Sequence, residues 1–194
     1  DVGYVRLYQF AEDTGERVRS EVRSLLDDGA RGIVLDLRNN PGGLLNEAVS
    51  VASVFVEDGE IVSVQKRGGD RETYGAVDDA FDDVPLVVLV DDHSASASEI
   101  VAGAVQDADR GPIVGETTFG KGTVQTIAQF SDGSGAKFTT ARYFTPSGDS
   151  IEGVGVEPDV QATLNDDEEP VEVEDDPQVD AAVDELDRLV GVGG

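Results

Sequence analysis

The sequence predicts an α/β fold in which much of the sheet is parallel, and three observations carry that prediction. Short apolar runs alternate with segments of helical period as far as residue 115. Two of those runs, Gly32–Ile33–Val34–Leu35–Asp36–Leu37 and Leu86–Val90, read as buried strands, the second being the most apolar in the chain. Two β-rich segments then flank Ser131–Asp132–Gly133–Ser134–Gly135, a hairpin signature. Strand–helix alternation followed by a hairpin is the pattern of α/β folds with crossover connections.

The elements follow in order. Residues 2–10, with Val2, Tyr4, Val5, Leu7, Tyr8 and Phe10, are rich in β-formers and predict a strand. Thr14 opens a helix whose Val18, Val22, Leu25 and Leu26 recur at helical spacing, and Gly29 ends it. A strand over 32–37 leads into the turn Asn39–Asn40–Pro41–Gly42–Gly43, and Leu44, Leu45, Ala48, Val51, Ala52 and Phe55 form the stripe of the next helix. Residues 60–66 predict a strand and 68–83 a polar loop. The strand 86–90 feeds Asp91–Asp92–His93–Ser94–Ala95–Ser96 and a helix to about Asp107, and 112–115 is a short strand. Residues 123–130 and 136–144 are the hairpin strands. Residues 166–176, with eight acids and no base, read as a solvated linker. From Asp176–Pro177 onward Val179, Ala182, Val183, Leu186, Leu189 and Val190 predict a terminal amphipathic helix. The expected organisation is a core over residues 1–165, then an acidic linker and helix over 166–194.

Composition removes several functions. The 194 residues contain no Cys, which excludes disulfides, thiolate metal sites and a cysteine nucleophile. One His, His93, rules out a multi-histidine metal site within one chain. The longest uncharged apolar stretches, near 48–56 and 84–90, fall short of the roughly 18 residues a membrane span needs. No signal peptide is visible and no Met occurs, so the sequence reads as a processed product or an excised piece. Asp and Glu number 41 against 14 Lys and Arg, a net charge of -27, which disfavours nucleic acid and anionic membranes as partners. The acid is spread along the chain, and only Lys66, Lys121 and Lys137 are lysines. An acidic, lysine-poor surface suggests adaptation to high salt, where screening relieves self-repulsion; an ordinary acidic protein is the alternative.

Three segments are able to carry chemistry. In Ser94–Ala95–Ser96–Ala97–Ser98–Glu99 a serine sits between an apolar strand and a helix, beside backbone N–H groups suited to an oxyanion. The same residues fit the capping box S-x-x-E, so Ser96 can equally be a helix cap. A serine nucleophile needs a base. His93, three residues away on the same tight loop, has awkward geometry for that task and reads as a solvated loop residue. Lys121, between Gly120 and Gly122, is the other candidate, because lysine acts as a base where an apolar, dehydrated site disfavours its charged form. A surface or phosphate-binding lysine is its alternative, although Gly122 stands where the P-loop frame requires Ser or Thr. The glycines of residues 39–43 allow close approach of backbone to a substrate, or form a plain strand-to-helix connection.

Taken together these segments resemble the carboxyl-terminal processing (tail-specific) proteases. The resemblance is carried by Asp36–Leu37–Arg38–Asn39–Asn40–Pro41–Gly42–Gly43, by residues 94–100 and by Gly115–Glu116–Thr117–Thr118–Phe119–Gly120–Lys121–Gly122–Thr123–Val124–Gln125. Residues 138–148 and Gly155–Val156–Glu157–Pro158–Asp159 match as well, so it spans about 2–160 in order. It implies a crotonase/ClpP-like core and a Ser–Lys dyad, with Ser96 as nucleophile, Lys121 as general base and Gln125 positioning Lys121. The N–H groups of Gly42 and Ala97 are the implied oxyanion hole. No metal or organic cofactor is required.

The resemblance further implies polypeptide substrates, an extracytoplasmic setting, and a PDZ domain in the full-length protein that this sequence does not include; a homo-oligomer stays open. His93 stands where the family commonly has a small residue. A non-proteolytic module binding hydrophobic ligands or peptides on the same fold is the alternative, and the Ser96/Lys121 pair argues against it.

Overall fold

The computed structural model describes residues 2–130, 134–163 and 173–191. Two sheets organise them. Strands β1 (Gly3–Arg6), β2 (Ile33–Asp36), β5 (Leu86–Val90), β6 (Ile113–Gly115) and β9 (Val160–Gln161) form a parallel sheet in the order β1-β2-β5-β6-β9. Strands β3 (Glu60–Lys66), β4 (Arg71–Gly75), β7 (Thr123–Gln129) and β8 (Gly135–Phe144) form an antiparallel sheet in the order β4-β3-β8-β7. The helices are α1 (Thr14–Asp27), α2 (Leu45–Ala52), α3 (Ala97–Asp107) and α4 (Pro177–Val190).

The parallel sheet is covered on both faces, which explains why β5 and Ile33–Leu35 of β2 are apolar without alternation. Ile33, Leu35, Leu86, Val88, Val90 and Ile113 share a core with Val18 and Val22 of α1, Val51 and Ala52 of α2, and Ile100 and Val101 of α3. Val34, Val87, Leu89 and Val114 point the other way and pack against Val179, Ala182 and Leu186 of α4. Each Val or Leu fully withdrawn from water contributes about 1.5–3 kcal/mol, so α4 adds materially to the fold. Its apolar stripe was visible in the sequence; its seat on the second face of the sheet was not.

The structure departs from the sequence reading in three places. The first strand stops at Arg6, after which Tyr8 is exposed and Phe10 crosses to bridge Gly43. The polar stretch 68–83 is not loop throughout. Arg71–Gly75 is an edge strand paired with β3, and its mostly exposed polar residues carry no apolar signal. β9 pairs only two residues, too few for any pattern. The expected linker lies outside the described residues over 166–172, as does the hairpin tip over 131–133.

Candidate active site

Three chain segments leave the C-terminal ends of neighbouring parallel strands and converge, as ligand sites on open parallel sheets commonly do. The first follows β2. Asn39 adopts a left-handed conformation (φ 57°) with its N–H donating to the Asp91 carboxylate at 2.9 and 3.0 Å. Asn40 is fully buried; its Nδ2 donates to the Leu7 carbonyl at 2.7 Å and its Oδ1 accepts the Gly42 N–H at 2.9 Å. Gly42 has φ 98°, and a Cβ there would lie 2.8 Å from the Ser96 Cβ and 2.6 Å from the Ala95 oxygen. Only glycine permits that approach.

The second segment follows β5 and distinguishes three serines by burial. Ser94 and Ser98 are buried, with hydroxyls donating to the carbonyls of Leu37 (2.8 Å) and Asn40 (2.9 Å). Ser96 is half-buried, so it alone of the three meets solvent. It caps α3 at φ 58°, ψ -109°, a conformation that costs a non-glycine residue about 1–3 kcal/mol. A strained serine at a strand-to-helix turn presents its Oγ at the sheet's edge beside a helix N-terminus.

The third segment follows β6 and is organised by one carboxylate. Glu99 is fully buried. Its Oε1 accepts from the Thr118 hydroxyl (2.6 Å) and the Gly120 N–H (2.6 Å). Its Oε2 accepts from the N–H of Ser96 (2.7 Å) and of Lys121 (2.9 Å). The Ser96–Glu99 capping box therefore forms, and the same carboxylate grips the loop bearing Lys121. The cap and the functional reading of Ser96 are compatible. The loop is also held by Phe119 N–H on the Ser94 carbonyl and by Gly122 N–H on Glu152. Lys121 itself is exposed, and among the described residues its ammonium has no anionic partner.

The expected site residues are thus partly assembled. Gly42, Ser96, Ala97 and Lys121 belong to one cluster. The Gly42 N–H, expected as an oxyanion donor, is occupied by Asn40 Oδ1 in a local turn. Among the described residues, the N–H groups of Ala97, next to Ser96 in the chain, and of Gly43, next to Gly42, have no acceptor. Among the described residues Gln125 makes no hydrogen bond to Lys121. Its amide donates to Thr139 (2.8 Å) and Thr123 (3.3 Å) after a bulge in the β7–β8 register. His93 is exposed, with Nδ1 2.5 Å from the Asp92 carboxylate. Glu99 and Thr118 are what sequence reasoning missed. The S-x-x-E spacing was the only signal, and it concerned the helix end.

Comparison with known proteins gives concordant results. The sequence profile of peptidase family S41 matches residues 1–162. A carboxy-terminal-processing protease of Bartonella bacilliformis is 46% identical over 166 residues, covering 82% of this chain and 38% of that protein. A chloroplastic C-terminal processing peptidase of Tetradesmus obliquus is 47% identical over 161 residues, covering 82% of this chain and 35% of that one. The solved structure of a photosystem II D1 C-terminal processing protease superposes with a TM-score of 0.79 at 45% identity, over 90% of this chain and 45% of that one. The chain thus spans less than half the length of these relatives.

Proposed function

The chain belongs to peptidase family S41, and from that premise we propose that it is the catalytic core of a serine endopeptidase that cuts unfolded or C-terminally exposed polypeptides through a Ser96–Lys121 dyad. The observation that carries the reading is the Glu99 carboxylate, one oxygen of which accepts both the Ser96 and the Lys121 backbone N–H. Nucleophile and base are thereby held to one rigid point, as a proton transfer between them requires.

The neutral Lys121 amine takes the Ser96 hydroxyl proton as Oγ attacks the peptide carbonyl carbon. The N–H groups of Ala97 and Gly43 receive the oxyanion, and the positive end of α3 adds to its stabilisation. Collapse breaks the C–N bond, and Lys121 returns its proton to the leaving amine. Water, deprotonated by Lys121, then attacks the ester, releases the new carboxyl terminus and restores Ser96. Gln125 acts on this geometry only by ordering the β7–β8 pair that follows Lys121.

Leu44 and Phe119, each adjoining one of the site loops, are 48% and 66% exposed. Exposed apolar side chains beside the nucleophile suit an unfolded chain as substrate. We place a PDZ domain in the full-length protein and the protein outside the cytoplasm, in keeping with relatives named as processing proteases, one of them chloroplastic. Among the described residues no helix is long and apolar enough to cross a membrane.

Digestion of an unstructured protein such as casein, followed by mass spectrometry, tests the reading. Cleavage by the wild-type chain and none by Ser96→Ala is the expected result. Equal cleavage by both would overturn the assignment of Ser96, and peptide binding without cleavage would favour a binding module.

A further inference from the structure

The N-terminus of α4 is tied to the segment that carries the oxyanion donors. Arg38, 3% exposed, spends its guanidinium in two directions. Nε and Nη2 donate to Asp36, the shortest contact being 2.7 Å. Nη1 donates to Asp176 at 2.7 Å and to Gln178 Oε1 at 2.9 Å, across 138 and 140 residues of chain. Asp176 is 2% exposed and is the N-cap of α4, its other oxygen accepting the N–H of Gln178 at 2.9 Å. Gln178 completes the seat by donating to the Ala162 carbonyl at 2.7 Å. A planar guanidinium bound on two edges has a fixed orientation, so the chain at residue 38 cannot rotate while α4 is docked.

That fixity passes directly into the site. Two residues on, the Asn40 carbonyl accepts the Ala95 N–H (3.0 Å) and the Ser98 hydroxyl (2.9 Å), the two neighbours that flank Ser96 and Ala97. Asn40 Oδ1 holds Gly42, and Gly43 follows. We propose that helix α4 is a positioning element of the active site, acting through Asp176 and Gln178 on Arg38 and through Arg38 on residues 39–43. Arg38 and Asp176 are positioning residues that touch no substrate. The Asp36–Arg38 pair is local, two residues apart. Among the described residues the Asp36 carboxylate is tied further only to the neighbouring strand β1, through Tyr4 and Arg6, and the side-chain bonds of Arg38 beyond Asp36 all go to the N-terminus of α4. The inference rests on the peptidase reading of the site.

The test is Asp176→Asn in the full chain, because asparagine keeps the N-cap acceptor and the shape but removes the charge facing Arg38. Asp180→Asn, exposed on the same turn of α4, is the control with the same change in charge. Hydrolysis of a neutral fluorogenic peptide is measured well below the melting temperature of each variant, and amide hydrogen exchange is followed at residues 39–44. Asp176→Asn is expected to lower kcat about tenfold with little change in KM, as a small misplacement of reacting groups does. It is also expected to speed exchange at residues 39–44 about tenfold or more, while Asp180→Asn changes neither. Full kcat in Asp176→Asn, even with a lower melting temperature, would reduce α4 to a stabilising element and overturn the proposal. If the wild-type chain cleaves nothing, the peptidase reading fails on its own. Exchange then decides the coupling: unchanged rates at residues 39–44 overturn it and faster rates uphold it.

Discussion

The two buried carboxylate clusters beside the site are satisfied in opposite ways. Glu99 is surrounded by neutral donors, three backbone N–H groups and the Thr118 hydroxyl. Asp36 and Asp176 instead share the cation of Arg38. The difference matches what each cluster has to leave available. Glu99 holds Lys121 by its backbone and so leaves the side-chain amine uncommitted, whereas an ion pair to that amine would favour its charged form and oppose the base role proposed for it. Nothing at the Arg38 cluster has to react, and a charge-assisted fork gives the stronger join between distant elements.

The comparison is broken most severely by removing the uncommitted amine. Lys121→Ala is expected to lower peptide hydrolysis by at least about 10³-fold. Its melting temperature should stay close to that of the wild type, because among the described residues the ammonium has no ionic partner to lose. A large drop in melting temperature would mean that Lys121 is a structural cation after all. His93→Ala, at an exposed position, should retain most activity.

Arg38→Met probes the other cluster and, besides the fall in kcat expected when residues 39–43 lose their positioning, should cost stability. It leaves Asp36 and Asp176 buried without their cation, a situation that costs about 3–5 kcal/mol. Urea denaturation measures it, and a loss under 1 kcal/mol would show that the Tyr4 hydroxyl and the α4 N-terminus satisfy these carboxylates unaided.

Glu99→Gln sharpens the contrast at nearly constant shape. The amide nitrogen faces donors that a carboxylate oxygen had accepted, so the two charge-assisted hydrogen bonds of one oxygen are weakened or lost, at about 1.5–3 kcal/mol each. Because the lost bonds position Ser96 and Lys121, kcat should fall about 10²-fold while KM changes little. Activity retained at the wild-type level would detach Glu99 from catalysis.

Alkaline titration distinguishes the clusters by pH. Burial, with the hydrogen bond to Asp36, pushes the Tyr4 hydroxyl up to about 12. Its folded value thus exceeds the ordinary value of about 10, and folding favours the neutral phenol. That contribution is complete below about pH 10 and disappears as the pH climbs towards 12. Stability should fall through this window and fall less steeply in Tyr4→Phe; Tyr143, also raised by burial, keeps a remnant of the slope. Identical slopes in variant and wild type would remove Tyr4 from the account.

The mildest effect expected is that of salt. At a net charge of -27, raising KCl from 0.1 to 1 M shortens the Debye length from about 10 to 3 Å and should raise the melting temperature. A fall with salt would refute the inference that the composition is adapted to salinity.

The sequence was informative wherever a pattern is local. Short apolar runs and stripes at helical period are written in consecutive side chains, so β1, β2, β5, β6 and α1 to α4 could be read with errors at their ends, whereas the two-residue β9 could not. The glycines before α2, the serines before α3 and the Gly-flanked Lys121 announced the three site loops for the same reason. The edge strand β4 escaped because exposed polar residues pair through backbone alone.

What only the tertiary structure decided concerns partners far apart in sequence. Three serines within five residues are equivalent as letters. Ser94 and Ser98 are spent because the carbonyls of Leu37 and Asn40 come within hydrogen-bond reach from more than fifty residues away. Glu99 looked like half of a helix cap until the loop after β6 delivered Thr118, Gly120 and Lys121 to it. Arg38 and Asp176 were two charges among 55, with 138 residues between them, until α4 found the second face of the sheet. Periodicity encodes which face of an element is buried. It does not encode which buried donor meets which acceptor, because that depends on how the faces stack.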